Sequence, residues 1–178
     1  MSRVLLAHGA SGSPETMAPW IAGLRERGLA ADAVAVTRGQ AERTVARFAS
    51  QVPDEPGAVI GGHSLGGRVA TLLAAGAVPV PGRRYPFAGV VALSYPLHRP
   101  GSPDPALARA DHFASIGVPV LLLSGDADPF ARLDLLRAAA GRLRDGRLVV
   151  YAGLGHGLAP VRGAALDEIA AFVRSLGG

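Results

Sequence analysis

The chain has 178 residues, of which 49% are hydrophobic and 18% are charged, and its formal net charge is +4 at pH 7. This length and composition fit one folded domain, residues 1–178, with a sizeable core, and argue against intrinsic disorder. All 18 basic residues are arginine, and there is no cysteine. Mechanisms that need a Walker A or Schiff-base lysine, a disulfide, a thiolate or Cys-ligated zinc are therefore excluded.

The sequence also argues against membranes, nucleic acids and cofactors as partners. No apolar run is long enough to span a bilayer, and the one at the N-terminus is too short for a signal peptide, so we expect a soluble, cytoplasmic protein. The arginines are scattered and only 5% of residues are aromatic, which does not favour nucleic-acid binding. A dinucleotide fingerprint and a cluster with metal-ligand spacing are both missing, so we expect no cofactor and no metal.

Hydrophobic patterning predicts an alternation of strands and helices. Short apolar runs predict strands at Val4–Ala7, Ala33–Val36, Ala58–Gly62, Phe87–Leu93, Val118–Leu123 and Arg147–Tyr151. Helices are predicted over Met17–Leu24, Ala41–Phe48, Leu65–Ala75, Ala106–Ala114, Phe130–Ala140 and Leu166–Leu176. Thr16 is the expected N-cap of the first helix, and Gly28 its stop. The alternation indicates a doubly wound α/β fold, a mostly parallel sheet of about six strands with helices on both faces.

The most informative motif is Gly62-His63-Ser64-Leu65-Gly66, which reads G-x-S-x-G between a predicted strand and a predicted helix. A serine at such a sharp turn is held exposed above the sheet edge. The backbone N–H that follows it lies at a helix N-terminus, where an oxyanion can be stabilised. Ser64 is therefore a candidate nucleophile, with the N–H of Leu65 and that of Ala10, after the first strand, as the expected oxyanion hole.

Two further polar positions follow later strands and complete a triad order of serine, acid and histidine. His156 is the candidate base, because a serine hydroxyl needs an imidazole to take its proton. The acid that orients the imidazole is either Asp126 or Asp128. Pro129 favours Asp128, because a residue before proline is pushed into an extended conformation at the start of a loop. Asp126 has an alternative as a turn former or as a partner of Arg132.

Four segments together resemble the α/β-hydrolase superfamily, and within it small lidless members similar to dienelactone hydrolase. They are listed here in chain order: His8-Gly9-Ala10, Gly62-His63-Ser64-Leu65-Gly66-Gly67-Arg68, Tyr95-Pro96-Leu97-His98 and Gly125-Asp126-Ala127-Asp128-Pro129-Phe130. The resemblance implies that Asp128 is the acid, that the sheet is trimmed to about six strands, and that no cap domain is inserted. A related subunit of a chromatin-associated acetyltransferase assembly is regarded as a scaffold.

These observations predict a serine hydrolase of the carboxylesterase type that cleaves small esters through an acyl-enzyme, using Ser64, Asp128 and His156. A non-catalytic scaffold on the same fold is the alternative, although a complete set of Ser, acid and His argues against a decayed site. Two roles stay open for Tyr95 and His98: lining a substrate pocket, or packing within their loop. The sequence does not indicate the physiological substrate or the oligomeric state.

Overall fold

The computed structural model describes residues 2–83, 86–104 and 108–177. Six strands form one sheet: β1 (Arg3–Ala7), β2 (Ala30–Val34), β3 (Ala58–His63), β4 (Gly89–Leu93), β5 (Val120–Gly125) and β6 (Gly146–Tyr151). Their order is β2-β1-β3-β4-β5-β6, and every neighbouring pair is parallel. The predicted fold class is confirmed. The four inner strands are almost completely buried, as expected for a parallel sheet covered on both faces.

Within the described residues, five α-helices cover the sheet: α1 (Ala18–Glu26), α2 (Ala41–Gln51), α3 (Leu65–Ala74), α4 (Leu133–Ala140) and α5 (Arg162–Ser175). Two hydrophobic clusters show which face each covers. Residues of α2, α3 and α4 pack on one face with a 3-10 helix, Ala108–Ser115, whereas residues of α1 and α5 pack on the other. Because α3 is buried along most of its length, the turn that leads into it is held firmly.

The predicted elements differ from the structure mainly at their ends. Thr16 does not cap α1; it lies in a 3-10 turn, Pro14–Met17, that runs directly into the helix, and its hydroxyl donates to the carbonyl oxygen of Ser13 at 2.6 Å. The second strand runs from Ala30 to Val34 instead of from Ala33 to Val36. It stops before Val36 because the N–H of Val36 donates to the imidazole Nε2 of His8, at 3.3 Å, and not to a strand.

The segment between β4 and β5 is the expected short connector. It contains an isolated bridge between Arg99 and Ser102, followed by the 3-10 helix from Ala108 to Ser115. The helix predicted at 106–114 is therefore present from Ala108 onward, while residues 105–107 lie outside the described part of the chain. The hydroxyl of Tyr95 donates to the carbonyl oxygen of Arg109 at 2.6 Å and fastens this connector to the end of β4.

Candidate active site

The turn between β3 and α3 holds Ser64 in an unusual backbone conformation. Its φ is 50° and its ψ is −113°, a region that residues with a side chain rarely occupy. The N–H of Ser64 donates to the carbonyl oxygen of Leu93 on the neighbouring strand at 2.8 Å, and its own carbonyl oxygen accepts the N–H of Arg68. The turn is thus anchored at both ends, and the half-buried serine side chain lies above the carboxyl end of the sheet.

Close backbone approach explains the glycines around Ser64. A Cβ atom added at Gly62 would lie 2.3 Å from the carbonyl oxygen of Ala7, and one added at Gly66 would lie 2.4 Å from the same oxygen. Both distances are far shorter than a van der Waals contact. Strand β1, the elbow and helix α3 can therefore pack this tightly only if both positions lack a side chain.

The structure brings the three predicted triad side chains into one hydrogen-bonded chain. The Oγ of Ser64 lies 2.8 Å from Nε2 of His156, and Nδ1 of His156 lies 2.9 Å and 3.0 Å from the two carboxylate oxygens of Asp128. A carboxylate only accepts, so Nδ1 carries the proton and Nε2 is free to accept the serine proton. This is the tautomer that a general base needs.

Asp128 and His156 differ in how far their side chains are buried. The Asp128 side chain has no exposed surface, whereas 22% of the His156 side chain is exposed. The Oδ1 of Asp128 also accepts the N–H of Phe130 at 2.8 Å, and the Phe130 ring lies 4.3 Å from the His156 ring, centroid to centroid. The carboxylate is therefore oriented by the backbone, and the imidazole is held on one side by an aromatic ring.

Asp126 has a different partner from Asp128. Its Oδ1 accepts the N–H of Gly153 at 2.7 Å, across the loop that leads to His156, and the residue is exposed. Arg132, its alternative partner from the sequence, pairs instead with Asp134 at 2.8 Å. Asp126 thus joins the two loops without touching the imidazole, and Asp128 is the carboxylate that contacts His156.

The loop after β1 is held by His8. Its Nδ1 lies 2.7 Å from the carbonyl oxygen of Gly9, which also accepts the N–H of Gly12 at 3.0 Å. Two donors on this oxygen fix the peptide plane between Gly9 and Ala10 and hence the direction of the Ala10 N–H. The other predicted oxyanion donor, the N–H of Leu65, belongs to the first residue of α3, where a helix leaves its N–H groups free of intrahelical partners.

The two candidate pocket residues are placed differently. Tyr95 lies in the core, with 1% of its surface exposed, and burial raises the pKa of its hydroxyl. His98 is also buried, yet it lines a cavity of about 410 Å³ beside the acid loop. Its Nδ1 donates to the carbonyl oxygen of Arg99 at 2.8 Å, and its Nε2 accepts the N–H of Arg132 at 2.9 Å. Both ring nitrogens of His98 are thus hydrogen-bonded to the backbone of loops.

Sequence reasoning missed two aromatic neighbours of the candidate base. His63 lies 5.2 Å from the His156 ring, centroid to centroid, and Phe130 lies on it at 4.3 Å. Each is adjacent to a motif residue: His63 precedes the serine, and Phe130 follows Asp128-Pro129. An aromatic side chain beside a predicted triad residue in the sequence is therefore the signal that could have identified both contacts.

Two features are absent from the described ranges: a cluster of metal-ligating side chains and a helix that could span a membrane. Across residues 2–83, 86–104 and 108–177, no set of three or more His, Asp and Glu side chains is arranged to hold a metal ion. No helix in those same ranges has the length and apolar character needed to cross a bilayer.

Solved structures resemble this chain over almost its whole length. A monoacylglycerol lipase from Paleococcus ferrophilus has 18% sequence identity and a TM-score of 0.77, with 98% of this chain and 94% of the lipase covered. Esterase 2 from Thermogutta terrifontis, phosphorylated by paraoxon, has 20% identity and a TM-score of 0.74, with 99% and 83% covered. Est1E from Butyrivibrio proteoclasticus with ferulic acid has 15% identity and a TM-score of 0.72, with 99% and 89% covered.

Because the sequence identities are only 15–20%, these likenesses establish the fold and nothing about the activity. A comparison with curated proteins finds no match. A family described as an alpha/beta hydrolase domain matches residues 30–171, which is most of the chain and includes Ser64, Asp128 and His156. The predicted superfamily is thereby confirmed, and this chain belongs to the α/β-hydrolase family.

Proposed function

We propose that this protein is a serine hydrolase that cleaves small carboxylic esters through an acyl-enzyme. The observation that carries the proposal is the continuous contact from Ser64 through His156 to Asp128, at 2.8 Å and 2.9 Å, in the tautomer required of a base. The low-identity neighbours include a monoacylglycerol lipase and an esterase phosphorylated by paraoxon, which is consistent with this class.

The proposed reaction uses each of these contacts in turn. Nε2 of His156 removes the hydroxyl proton as the Oγ of Ser64 attacks the ester carbon. Asp128 stabilises the imidazolium that forms, and the N–H groups of Leu65 and Ala10 donate hydrogen bonds to the carbonyl oxygen as it becomes negatively charged. The imidazolium then gives its proton to the departing alcohol. Water, activated by the same histidine, attacks the acyl-serine and releases the carboxylic acid.

A short acyl chain is the expected specificity. The connector after β4 consists of a Pro/Gly-rich segment and the 3-10 helix Ala108–Ser115, and is too short for an amphipathic lid of the kind that covers interfacial lipases. Each methylene buried in a pocket contributes only about 0.8 kcal/mol, so a shallow site gains little from long chains. We therefore propose one hydrolase domain without a cap, acting on dissolved short-chain esters in the cytoplasm.

Labelling with a fluorophosphonate probe tests the proposal directly. The wild-type protein should be labelled on Ser64 and should hydrolyse nitrophenyl acetate and butyrate, whereas Ser64→Ala should do neither. A wild-type protein that is folded but neither labelled nor active would favour the non-catalytic scaffold.

The dependence of kcat/KM on ester chain length, from acetate to laurate and below and above the solubility limit, tests whether the site is open. A steep rise with chain length, or a jump in rate on emulsification, would reveal a deeper pocket or a lid.

A further inference from the structure

His63 connects the elbow to the loop that carries His156. Its Nε2 lies 2.9 Å from the backbone carbonyl oxygen of His156. A carbonyl oxygen only accepts, so Nε2 of His63 carries a proton and donates it. Burial lowers the pKa of His63, which favours a neutral ring with a bare Nδ1. The charged or titratable groups that face this ring are His156 and Asp128.

The opposite side of the His63 ring is packed against the loop after β1. A Cβ atom added at Gly9 would lie 2.9 Å from Nδ1 of His63. The ring is therefore confined between the backbone of that loop and the backbone of the His156 loop. Since Gly9 is part of the peptide that sets the Ala10 N–H, one side chain touches both the base-bearing loop and the loop proposed as the oxyanion hole.

The backbone around His156 needs such a support. Glycines flank it at positions 155 and 157, and glycine has the greatest backbone freedom of any residue. The loop is anchored before this point by the N–H of Ala127, which donates to the carbonyl oxygen of Leu154 at 3.0 Å. At His156 itself, the contact with His63 holds the main chain, while Asp128 and Ser64 hold the two ends of the ring.

We infer that His63 is a positioning residue, whose donated hydrogen bond fixes the backbone of His156 so that its Nε2 stays in line with the hydroxyl of Ser64. The inference rests on the proposed function, in which His156 is the base. A base displaced by about 1 Å can cost about 10²-fold in rate, because proton transfer depends steeply on alignment. Substrate binding does not use this contact, so the loss is expected in kcat and not in KM.

Matched amide variants separate the hydrogen bond from simple packing. The amide nitrogen of glutamine lies three bonds from Cβ, as does Nε2 of histidine, so His63→Gln keeps a donor with the reach to the His156 carbonyl. The amide nitrogen of asparagine lies two bonds from Cβ, at the place of Nδ1, so His63→Asn keeps polarity but not the reach. His63→Leu removes both. Melting temperatures of all three variants identify any general loss of stability.

We expect His63→Asn and His63→Leu to lose on the order of 10² in kcat on nitrophenyl acetate, with KM and the melting temperature close to wild type, and His63→Gln to retain most of the activity. Equal activities of the Gln and Asn variants, or losses that follow the melting temperatures, would overturn the inference. Fluorophosphonate labelling of wild type and Ser64→Ala, run in parallel, reports separately on the proposed function.

A readout without turnover completes the test. The proton between Nδ1 of His156 and the Asp128 carboxylate should give a low-field NMR resonance, as strongly hydrogen-bonded imidazole protons do. This resonance should persist in His63→Gln and broaden or vanish in His63→Asn. If it is unchanged in both variants, the backbone contact does not position the ring, and the inference is wrong even if the enzyme proves active.

Discussion

Two neighbouring strands of the sheet are each followed by a serine with a positive φ. Ser64 follows β3 and Ser94 follows β4, and φ is 50° at both. Each N–H donates to the carbonyl oxygen of the next strand at 2.8 Å, from Ser64 to Leu93 and from Ser94 to Leu123. The same local strain thus occurs twice, side by side, at the carboxyl edge where α/β folds place their sites.

The surroundings of the two serines differ completely. The hydroxyl of Ser64 meets His156, whereas Ser94 has no exposed surface and its hydroxyl has no hydrogen-bond partner within the part of the chain that the structure describes. After Ser64 the chain enters α3, while after Ser94 it continues to the buried Tyr95 and to Pro96. A strained turn alone therefore does not make a serine a candidate nucleophile; Ser64 is a candidate because an imidazole and a helix N-terminus lie next to it.

Replacing each serine with alanine should give the largest difference between the two positions. Ser64→Ala removes the attacking oxygen and is expected to lower kcat by about 10⁶-fold, as in related triads. Ser94→Ala should leave kcat close to wild type, because its hydroxyl is buried and touches no reacting group. Initial rates on nitrophenyl acetate give both numbers. Activity that survives in Ser64→Ala, or disappears in Ser94→Ala, would place the site at the other strand.

The next largest effect concerns Asp128, the proposed acid, which has no counterpart at Ser94. Asp128→Asn should keep the fold but lose about 10⁴-fold in kcat, since an amide can hold the imidazole in the wrong tautomer. Asp126→Asn is the matched control on the same loop. It weakens only the bond to the Gly153 N–H and should lose far less. A reversed result would make Asp126 the orienting carboxylate.

A smaller effect, on stability, tests the close packing that leads from Ser64 into α3. Gly66→Ala would place a methyl group 2.4 Å from the Ala7 carbonyl oxygen, and we expect the free energy of unfolding to fall by about 1–3 kcal/mol or more. Gly163→Ala in α5 has no atom within 4 Å of the added methyl and should raise it by about 0.5–1 kcal/mol. Urea denaturation measures both changes.

The smallest expected effect is a change in the free energy of unfolding that should be the same at both serines. Glycine removes the cost of a positive φ, about 1–3 kcal/mol, and loses about 0.5–1 kcal/mol through its greater freedom in the unfolded chain. Ser64→Gly and Ser94→Gly should therefore each raise the free energy of unfolding by roughly 1 kcal/mol, while only Ser64→Gly abolishes activity. Destabilisation by Ser94→Gly in the same urea experiment would show that its hydroxyl has a structural role.

Local patterns were enough to predict most of the fold. Apolar runs of strand length and apolar residues at helical spacing predicted six strands and the helices between them, and the structure contains these elements in that order. The errors fall at element ends. Thr16 was predicted as a cap but lies inside a 3-10 turn, and β2 stops short of Val36 because His8, 28 residues away in the chain, takes the Val36 N–H.

The sequence by itself determined the fold class and the order of the candidate serine, acid and histidine, because strand and helix periodicity and the G-x-S-x-G turn are properties of adjacent residues. Pro129 already favoured Asp128 over Asp126, but only the tertiary structure showed that Asp128 contacts His156, that His63 donates to the backbone carbonyl of His156, and that Ser94 is a buried counterpart of Ser64. The contact of Asp128 with His156 joins residues 28 positions apart, and that of His63 with His156 joins residues 93 positions apart, while Ser64 and Ser94 follow different strands. They depend on sheet order, register and loop geometry, which no local pattern encodes.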